Sequence, residues 1–184
     1  MLIRRLVLSV SAALLLVTGL AGCAAKGPSG LVQRVETLLG GPASAALLTG
    51  SAPSDSVVAF RIDGTAWHNA GDGEDTGERI YHWPVLGGPF PVDPAVVTSV
   101  GAVLADDGTY DWDRAKACEF APGVVLRYTA GTDVSEVLFC FSCDELEIYR
   151  NGARVGHEDF DAARAPLVAA MKRLFPDDAK IQAL

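Results

Sequence analysis

The chain has 184 residues, of which 49% are hydrophobic and 21% charged, and its sequence contains neither an internal repeat nor a long biased tract. These proportions indicate one folded domain rather than a disordered chain. Acidic residues outnumber basic ones by 23 to 15, and a surface of that sign repels phosphate backbones and anionic headgroups. Nucleic-acid binding and a polybasic membrane patch are therefore not expected.

The first part of the chain has the pattern of a signal peptide. Arg4 and Arg5 precede an apolar run from Leu6 to Leu20, and small residues follow it directly. The run of about 15 residues is shorter than the roughly 20 that a helix needs to cross a bilayer, so we predict cleavage rather than a permanent anchor. Removal of residues 1–22 would leave 13 basic and 23 acidic residues, a net charge of −10.

The segment Leu20-Ala21-Gly22-Cys23 resembles the lipobox of bacterial lipoproteins, in which one branched and two small residues precede a lipid-carrying cysteine. The resemblance covers residues 1–23. It implies that the thiol of Cys23 receives a diacylglyceryl group, that signal peptidase II cuts before it, and that the freed amine is acylated, with palmitate as an expected chain. Several chains give stable attachment, because each buried CH₂ contributes about 0.8 kcal/mol. The alternative is an ordinary secretory peptide with a chance cysteine near its cut.

The residue after the cysteine is Ala24. In Gram-negative families an Asp at this position commonly marks inner-membrane retention, so the resemblance implies a cell-envelope protein facing the periplasm, with the outer membrane favoured. Residues 23–30 would form the lipidated cysteine and a flexible tether of small and polar residues. Residues 31–184 are predicted to form a single domain.

The N-terminal half of this domain contains weak helix and strand patterns. Leu31 to Leu39 has apolar residues at helical spacing, whereas Ala43 to Ser56 reads as a loosely ordered link. Strands are predicted at Val57–Asp63 and at Arg79–Leu86, the second ending before the glycine pair that follows it. A helix is expected to begin after Asp93, which is suited to be its N-cap, and to end near residues 106–108.

The C-terminal half has the clearer pattern. Alternating apolar residues predict strands at Val124–Thr129, Val134–Phe141 and Glu145–Arg150, and Asn151-Gly152 is a hairpin signal. A closing helix should begin near Asp161 and present Leu167, Val168, Met171, Leu174 and Phe175 as one apolar stripe. We therefore predict an α+β domain: a small antiparallel sheet of three C-terminal and one or two N-terminal strands, packed with two or three helices.

Three cysteines would remain after lipidation, in an oxidising compartment where free thiols seldom persist. If the turn between the first two C-terminal strands is centred after Gly131, residues whose numbers sum to about 263 face each other. Cys118 and Cys143 then share a face, whereas Cys140 points to the other. A Cys118–Cys143 disulfide is preferred, and Cys140 is the alternative partner because a slip of one residue reverses the choice.

Two chemical alternatives use the same cysteines. The spacing of Cys140 and Cys143 invites a thioredoxin-like interpretation, but the residues after Cys143 alternate as a strand, so a helix N-terminus that would activate a thiol is not predicted. Cys118, Cys140, Cys143 and His157 could instead supply four zinc ligands, although only one closely spaced cysteine pair is present.

A second candidate region brackets an acidic loop. Trp67-His68 and His82-Trp83 flank residues 69–78, and both histidines could point into one cleft; packing of the tryptophans is the simpler interpretation. The loop's Asp72, Glu74, Asp75 and Glu78 could bind calcium, but the twelfth position from Asp72 is a tryptophan rather than the glutamate of an EF-hand. A solvated hairpin loop is preferred.

The sequence contains no hydrolase nucleophile motif, phosphate-binding loop or zinc-protease helix. The stretch from Phe139 to Asp178 resembles uncharacterised bacterial envelope lipoproteins, a resemblance that implies no activity. We therefore expect a membrane-anchored, non-catalytic binding or structural module that needs no cofactor and whose defined partner is the lipid bilayer. The alternative is a thiol-redox or metal-handling protein that uses Cys118, Cys140 and Cys143.

Overall fold

A computed structural model describes residues 30–66, 77–114 and 116–184, without the side chain of Leu31. The predicted leader, Cys23 and most of the tether lie outside the described residues. So do Trp67, His68 and the loop carboxylates Asp72, Glu74 and Asp75.

Helices and strands are distributed along the whole described chain. The α-helices are α1 (Gly30–Leu38), α2 (Pro42–Leu48), α3 (Pro94–Ala105), α4 (Arg164–Leu174) and α5 (Ala179–Gln182). The strands are β1 (Ser56–Ile62), β2 (Arg79–Ile80), β3 (Trp83–Pro91), β4 (Val124–Ala130), β5 (Asp133–Cys140), β6 (Glu145–Arg150) and β7 (Ala153–Asp159).

The strands form one antiparallel sheet in the order β2-β3-β1-β4-β5-β6-β7. Strands β4 to β7 follow one another as hairpins, and β1 pairs with both β3 and β4. In the β4–β5 hairpin Val124 lies opposite Phe139, which is the register that the turn position predicts. The α+β class is thus confirmed, with a sheet larger than the small one expected.

One predicted strand needs correction, and one strand was missed. The strand predicted over residues 79–86 is a tight hairpin, in which Tyr81 has a positive φ of 57° between β2 and β3. β3 then continues through Gly87 and Gly88 instead of ending there, since irregular pairing with β1 accommodates them. β7 was not predicted, because it is an edge strand whose charged residues weaken the apolar alternation.

The described residues also form more helices than the two or three expected. α2 occupies the segment predicted to be a loose link, and its Ala45, Leu47 and Leu48 are buried. α5 follows Asp178, whose carboxylate accepts hydrogen bonds from the amides of Lys180 and Ile181. Both helices are short, so their sequences hold too few turns to show a helical period.

The two faces of the sheet are covered differently. On one face, residues such as Leu126 and Phe139 pack with the helices in the main hydrophobic core, which includes Leu167 and Met171 of α4. The other face has a second, smaller cluster of apolar residues. Its buried members are Phe60, Ile62, Ile80, Trp83, Val125, Leu138 and Tyr149.

Candidate functional site

The face of the smaller cluster contains three buried glutamates. Glu136, Glu145 and Glu147 are 4, 3 and 5% exposed, and the β5–β6 register pairs Glu136 with Tyr149. A buried carboxylate is costly unless it is hydrogen bonded or paired with a cation. The partners of each glutamate therefore decide what this face can do.

Two of the three glutamates have strong partners. Glu136 accepts hydrogen bonds from Nε of Arg127 at 2.6 Å and from the hydroxyl of Tyr81. The ring of Tyr81 stacks on that of Tyr149, with centroids 3.9 Å apart. Burial, reinforced by the Glu136 carboxylate, raises the pKa of Tyr81 well above its ordinary value. The hydroxyl therefore stays protonated and serves as a hydrogen-bond donor.

Glu147, like Glu136, has one arginine and one tyrosine as partners. Glu147 accepts from Arg154 at 2.6 Å and from the hydroxyl of Tyr149 at 2.9 Å. Burial, together with Glu147, raises the pKa of Tyr149 above its ordinary value. These tyrosines and arginines satisfy buried carboxylates, which is a structural role.

Glu145 lies beside a histidine instead of an arginine. Its Oε2 lies 3.6 Å from Nε2 of His157, whose side chain is 44% exposed. Burial raises the pKa of Glu145 despite the opposing effect of His157, and the nearby Asp159 adds to the increase. The ring of Phe120 contacts that of His157 edge-on, with centroids 5.8 Å apart.

The cysteines lie at the same end of the sheet. The sulfur atoms of Cys118 and Cys143 are at bonding distance, with Cα atoms 5.9 Å apart, and this is the pair that the sequence favours. Cys140 is buried and unpaired, and its sulfur accepts a hydrogen bond from the amide of Ala121 at 3.3 Å. Cys118 itself is exposed.

The described residues form neither the thioredoxin-like site nor the zinc site that the sequence left as alternatives. The residues after Cys143 form a turn and then β6, so a helix N-terminus does not activate the thiol pair Cys140 and Cys143. His157 faces Glu145 rather than a group of sulfurs. Within the described ranges, His, Cys, Asp and Glu side chains form no group of three or more arranged to hold a metal ion.

Lys116, which the sequence patterns did not indicate, connects the turn at Cys143 to two carboxylates. Its Nζ donates to the carbonyl oxygen of Cys143 at 2.5 Å and to the carboxylate of Asp161, and lies 3.7 Å from Asp159. Burial would lower the pKa of Lys116, but the hydrogen bond to Asp161 and the charge of Asp159 outweigh it and raise the pKa. One lysine in a loop gives no periodic signal, so the sequence could not reveal this contact.

The predicted tryptophan and histidine cleft is described only on one side. Trp83 is buried and packs on Phe120 with ring centroids 5.9 Å apart, while His82 lies against Trp83. Trp83 is therefore a packing residue of the smaller cluster. Glu78 is the only one of the four predicted loop carboxylates within the described ranges, and it is exposed.

A cavity of about 450 Å³ was also not predicted. Its walls include Leu86 and Phe90 of β3, and Phe175 after α4. Leu86 and Phe90 are exposed apolar side chains, whereas Arg61 and Asp178 contribute an ion pair at its edge. The residues come from distant parts of the sequence, so only the tertiary fold could reveal the cavity.

No protein-family model, curated protein or solved structure matches this chain. Among the helices of the described residues, none combines the length and apolarity required to cross a membrane.

Proposed function

We propose that the mature protein is a non-catalytic binding or structural module of the cell envelope, held on the outer side of a membrane by lipid on Cys23. The observation that carries the proposal is the sequence Leu20-Ala21-Gly22-Cys23 directly after an apolar leader. A thiol modified with acyl chains partitions into a bilayer, and more than one chain makes the attachment stable.

Two structural features support an exported module of this kind. The sulfurs of Cys118 and Cys143 are paired, as is typical of proteins that work in an oxidising compartment. The buried carboxylates Glu136 and Glu147 are occupied by arginine and tyrosine partners, which is an arrangement for holding a sheet face together rather than for proton transfer.

The experiment is metabolic labelling of cells with an alkyne-bearing fatty acid, followed by separation of membranes. The full chain should be labelled and should sediment with membranes, whereas Cys23→Ser should lose the label and leave the membrane fraction. Ala24→Ser is the matched control, because it adds a hydroxyl at the next position and keeps the thiol. Labelling that survives Cys23→Ser, or an unlabelled parent protein, would overturn the proposal.

One observation favours the second candidate, a thiol-redox or metal-handling protein: Cys118 is exposed, so its sulfur can meet an external thiol. Intact mass after alkylation, with and without reductant, counts the free thiols among Cys118, Cys140 and Cys143. One pair and one free thiol support the structural module, whereas three alkylated thiols without reductant, or stoichiometric zinc, support the second candidate.

A further inference from the structure

The cavity between β3 and the segment that joins α4 to α5 has apolar walls. Leu86 and Phe90 are 58% and 44% exposed, and the other apolar side chains of the lining are Leu174, Phe175 and Pro176. The rings of Phe90 and Phe175 meet edge-on, with centroids 6.0 Å apart. A volume of about 450 Å³ lies within the range of sites that take a small organic molecule. An apolar ligand would remove these exposed side chains from water, which is favourable.

The charged residues of the lining decide what kind of ligand fits. Nε of Arg61 donates to Oδ2 of Asp178, and Nη1 donates to the carbonyl oxygen of Gly123. Oδ1 of Asp178 accepts from the amides of Lys180 and Ile181. The Arg61–Asp178 pair is therefore satisfied within the protein. An anionic ligand would have to compete with Asp178 for Arg61.

Asp177 is the remaining charged residue of the lining. It is exposed, and within the described chain its carboxylate makes neither a hydrogen bond nor an ion pair. One guanidinium against two carboxylates gives the walls a net charge of −1. The net charge of the whole chain, −8, has the same sign, and an acidic protein raises the local concentration of cations. The cavity therefore favours a positively charged ligand over a negatively charged one.

We propose that this cavity binds a small organic cation with an apolar body, such as an aromatic amine or a branched alkylamine. The apolar body displaces water from Leu86, Phe90 and Phe175, and the ammonium lies beside the carboxylate of Asp177. The two phenylalanine rings favour a cation further, because the face of an aromatic ring is negative. The proposal rests on the protein being a binding module, as proposed above, but not on lipid at Cys23.

The test uses the full processed protein in a non-ionic detergent and three probes that share one apolar body. At neutral pH 3-phenylpropylamine is cationic, 3-phenyl-1-propanol is neutral and 3-phenylpropionate is anionic. Each is titrated at low salt into protein with isotope-labelled leucine methyl groups. The NMR signals of Leu86 and Leu174 report on the two sides of the cavity. Detergent titrated in parallel corrects for the probe that micelles take up.

The amine should shift both leucine signals until they saturate, and it should bind roughly tenfold more tightly than the alcohol. An exposed ion pair and a contact between a cation and an aromatic ring each contribute a few-fold, which together give a ratio of about this size. The propionate should bind most weakly of the three. In ~1 M salt the preference for the amine should become smaller, because salt screens exposed charges.

Three variants separate the charge of the cavity from its apolar walls. Asp177→Asn should abolish the preference for the amine and leave the affinity for the alcohol unchanged. Asp113→Asn is the matched control, because it removes an exposed carboxylate that is not part of the lining, and it should keep the tenfold preference. Leu86→Ala should weaken the binding of all three probes several-fold, since it removes apolar contact and no charge. Leu86 is more than half exposed, so this variant should fold.

Four results would overturn the proposal. The first is a set of shifts confined to leucines outside the cavity, and the second is an alcohol that binds as tightly as the amine at low salt. The third is tightest binding of the propionate, which would make Arg61 an anion site. The fourth is movement of the Leu86 signals when the protein is diluted without a probe, which would show that a second copy of the chain covers the cavity. None of these results affects fatty-acid labelling at Cys23, so failure here is distinct from failure of the lipid anchor.

Discussion

Nε of Arg61 donates to Oδ2 of Asp178 at 2.7 Å, joining β1 to the residue that caps α5. The Arg61 side chain is 10% exposed, and its guanidinium also donates to the carbonyl oxygen of Gly123. The hydrogen bond from Arg61 is the main reason that the pKa of Asp178 lies below its ordinary value, with burial acting in the opposite direction. The Arg61 side chain thus connects β1 to α5 through the ion pair, and to the residue before β4 through the hydrogen bond to Gly123.

Asp178→Asn should lower the free energy of unfolding at pH 7 by about 2 kcal/mol, a typical value for a hydrogen bond to a charged group. Asparagine remains a good N-cap, so the loss reports the ion pair rather than the cap. The pKa is lower in the folded than in the unfolded protein, so the stabilisation is present above the unfolded pKa of about 4. It is lost as the pH falls through the folded pKa.

Urea denaturation at pH 7 and at pH 3 measures this difference. The gap between the parent and Asp178→Asn should be full at pH 7 and smaller at pH 3. Asp177→Asn is the control: Asp177 is the adjacent exposed carboxylate, and its change should stay within about 0.5 kcal/mol. An equal loss in both variants would show that the Arg61 contact is not the cause.

The sequence predicted the parts of the fold that depend on local patterns. α3 begins after Asp93, whose carboxylate accepts from the amide of Ala95, as the Asp-Pro signal indicates. The β4–β5 register followed from turn position alone. The pairing of β1 with β3 and β4 could not be predicted, because such long-range pairing depends on contacts distributed over the whole sheet rather than on a local signal.

The Glu145 carboxyl should destabilise the fold at high pH. Its pKa is raised by burial, against the influence of His157 and Lys116 and with that of Asp159. A carboxyl whose pKa is higher in the folded protein favours folding most below its unfolded pKa, and this contribution is lost as the pH rises through the folded pKa. Glu145→Gln should therefore raise the free energy of unfolding by about 1 kcal/mol at pH 8 and change it little at pH 4.

The matched control is Glu147→Gln, on the same face of β6. Glu147 accepts from Arg154 and Tyr149, so this variant should be less stable than the parent at pH 8. Urea denaturation at both pH values gives the comparison. If both variants changed the free energy of unfolding in the same direction at pH 8, the claim that Glu147 is well paired and Glu145 poorly paired would be wrong.

The contact between α1 and β7 depends on a glycine. A Cβ at Gly156 would overlap the carbonyl oxygen of Leu38 and press on that residue's side chain. Gly156→Ala should therefore displace α1 from the edge of the sheet and lower the free energy of unfolding by about 2 kcal/mol, within the usual range for overpacking. Gly30→Ala, where a Cβ would meet nothing within 4 Å, should be neutral or slightly stabilising because it improves helix propensity.

Thermal unfolding of the two glycine variants separates packing from backbone effects. Hydrogen exchange should also become faster in α1 of Gly156→Ala and stay unchanged in β4 and β5. Faster exchange throughout the sheet would instead indicate that the close approach of Gly156 and Leu38 supports the whole fold. Equal melting temperatures for the two variants would contradict the prediction that a Cβ at Gly156 displaces α1.

At the candidate site, the sequence identified residue types better than contacts. Cys118 and Cys143 could be chosen by extending the register of the β4–β5 hairpin beyond the ends of both strands, because paired positions in a hairpin have a constant sum. Lys116 could not, because it lies in an irregular segment and its partner is a backbone carbonyl. The pairing of His157 with Glu145 required β7, the strand whose charged edge sequence hides its alternation.

The disulfide should contribute substantially to stability. The two cysteines are separated by 25 positions, and closing a loop of that length lowers the entropy of the unfolded chain enough to stabilise the fold by about 3 kcal/mol. The double variant Cys118→Ala/Cys143→Ala should lose about this amount, and so should the parent protein in dithiothreitol. Reductant should have no effect on the double variant.

Cys140→Ala is the control, because it removes a buried thiol and leaves the pair intact. This variant should keep the parent's sensitivity to reductant. Denaturation curves with and without dithiothreitol make all of these comparisons. If the parent's curve does not shift on reduction, the stabilising role of the Cys118–Cys143 bond is wrong.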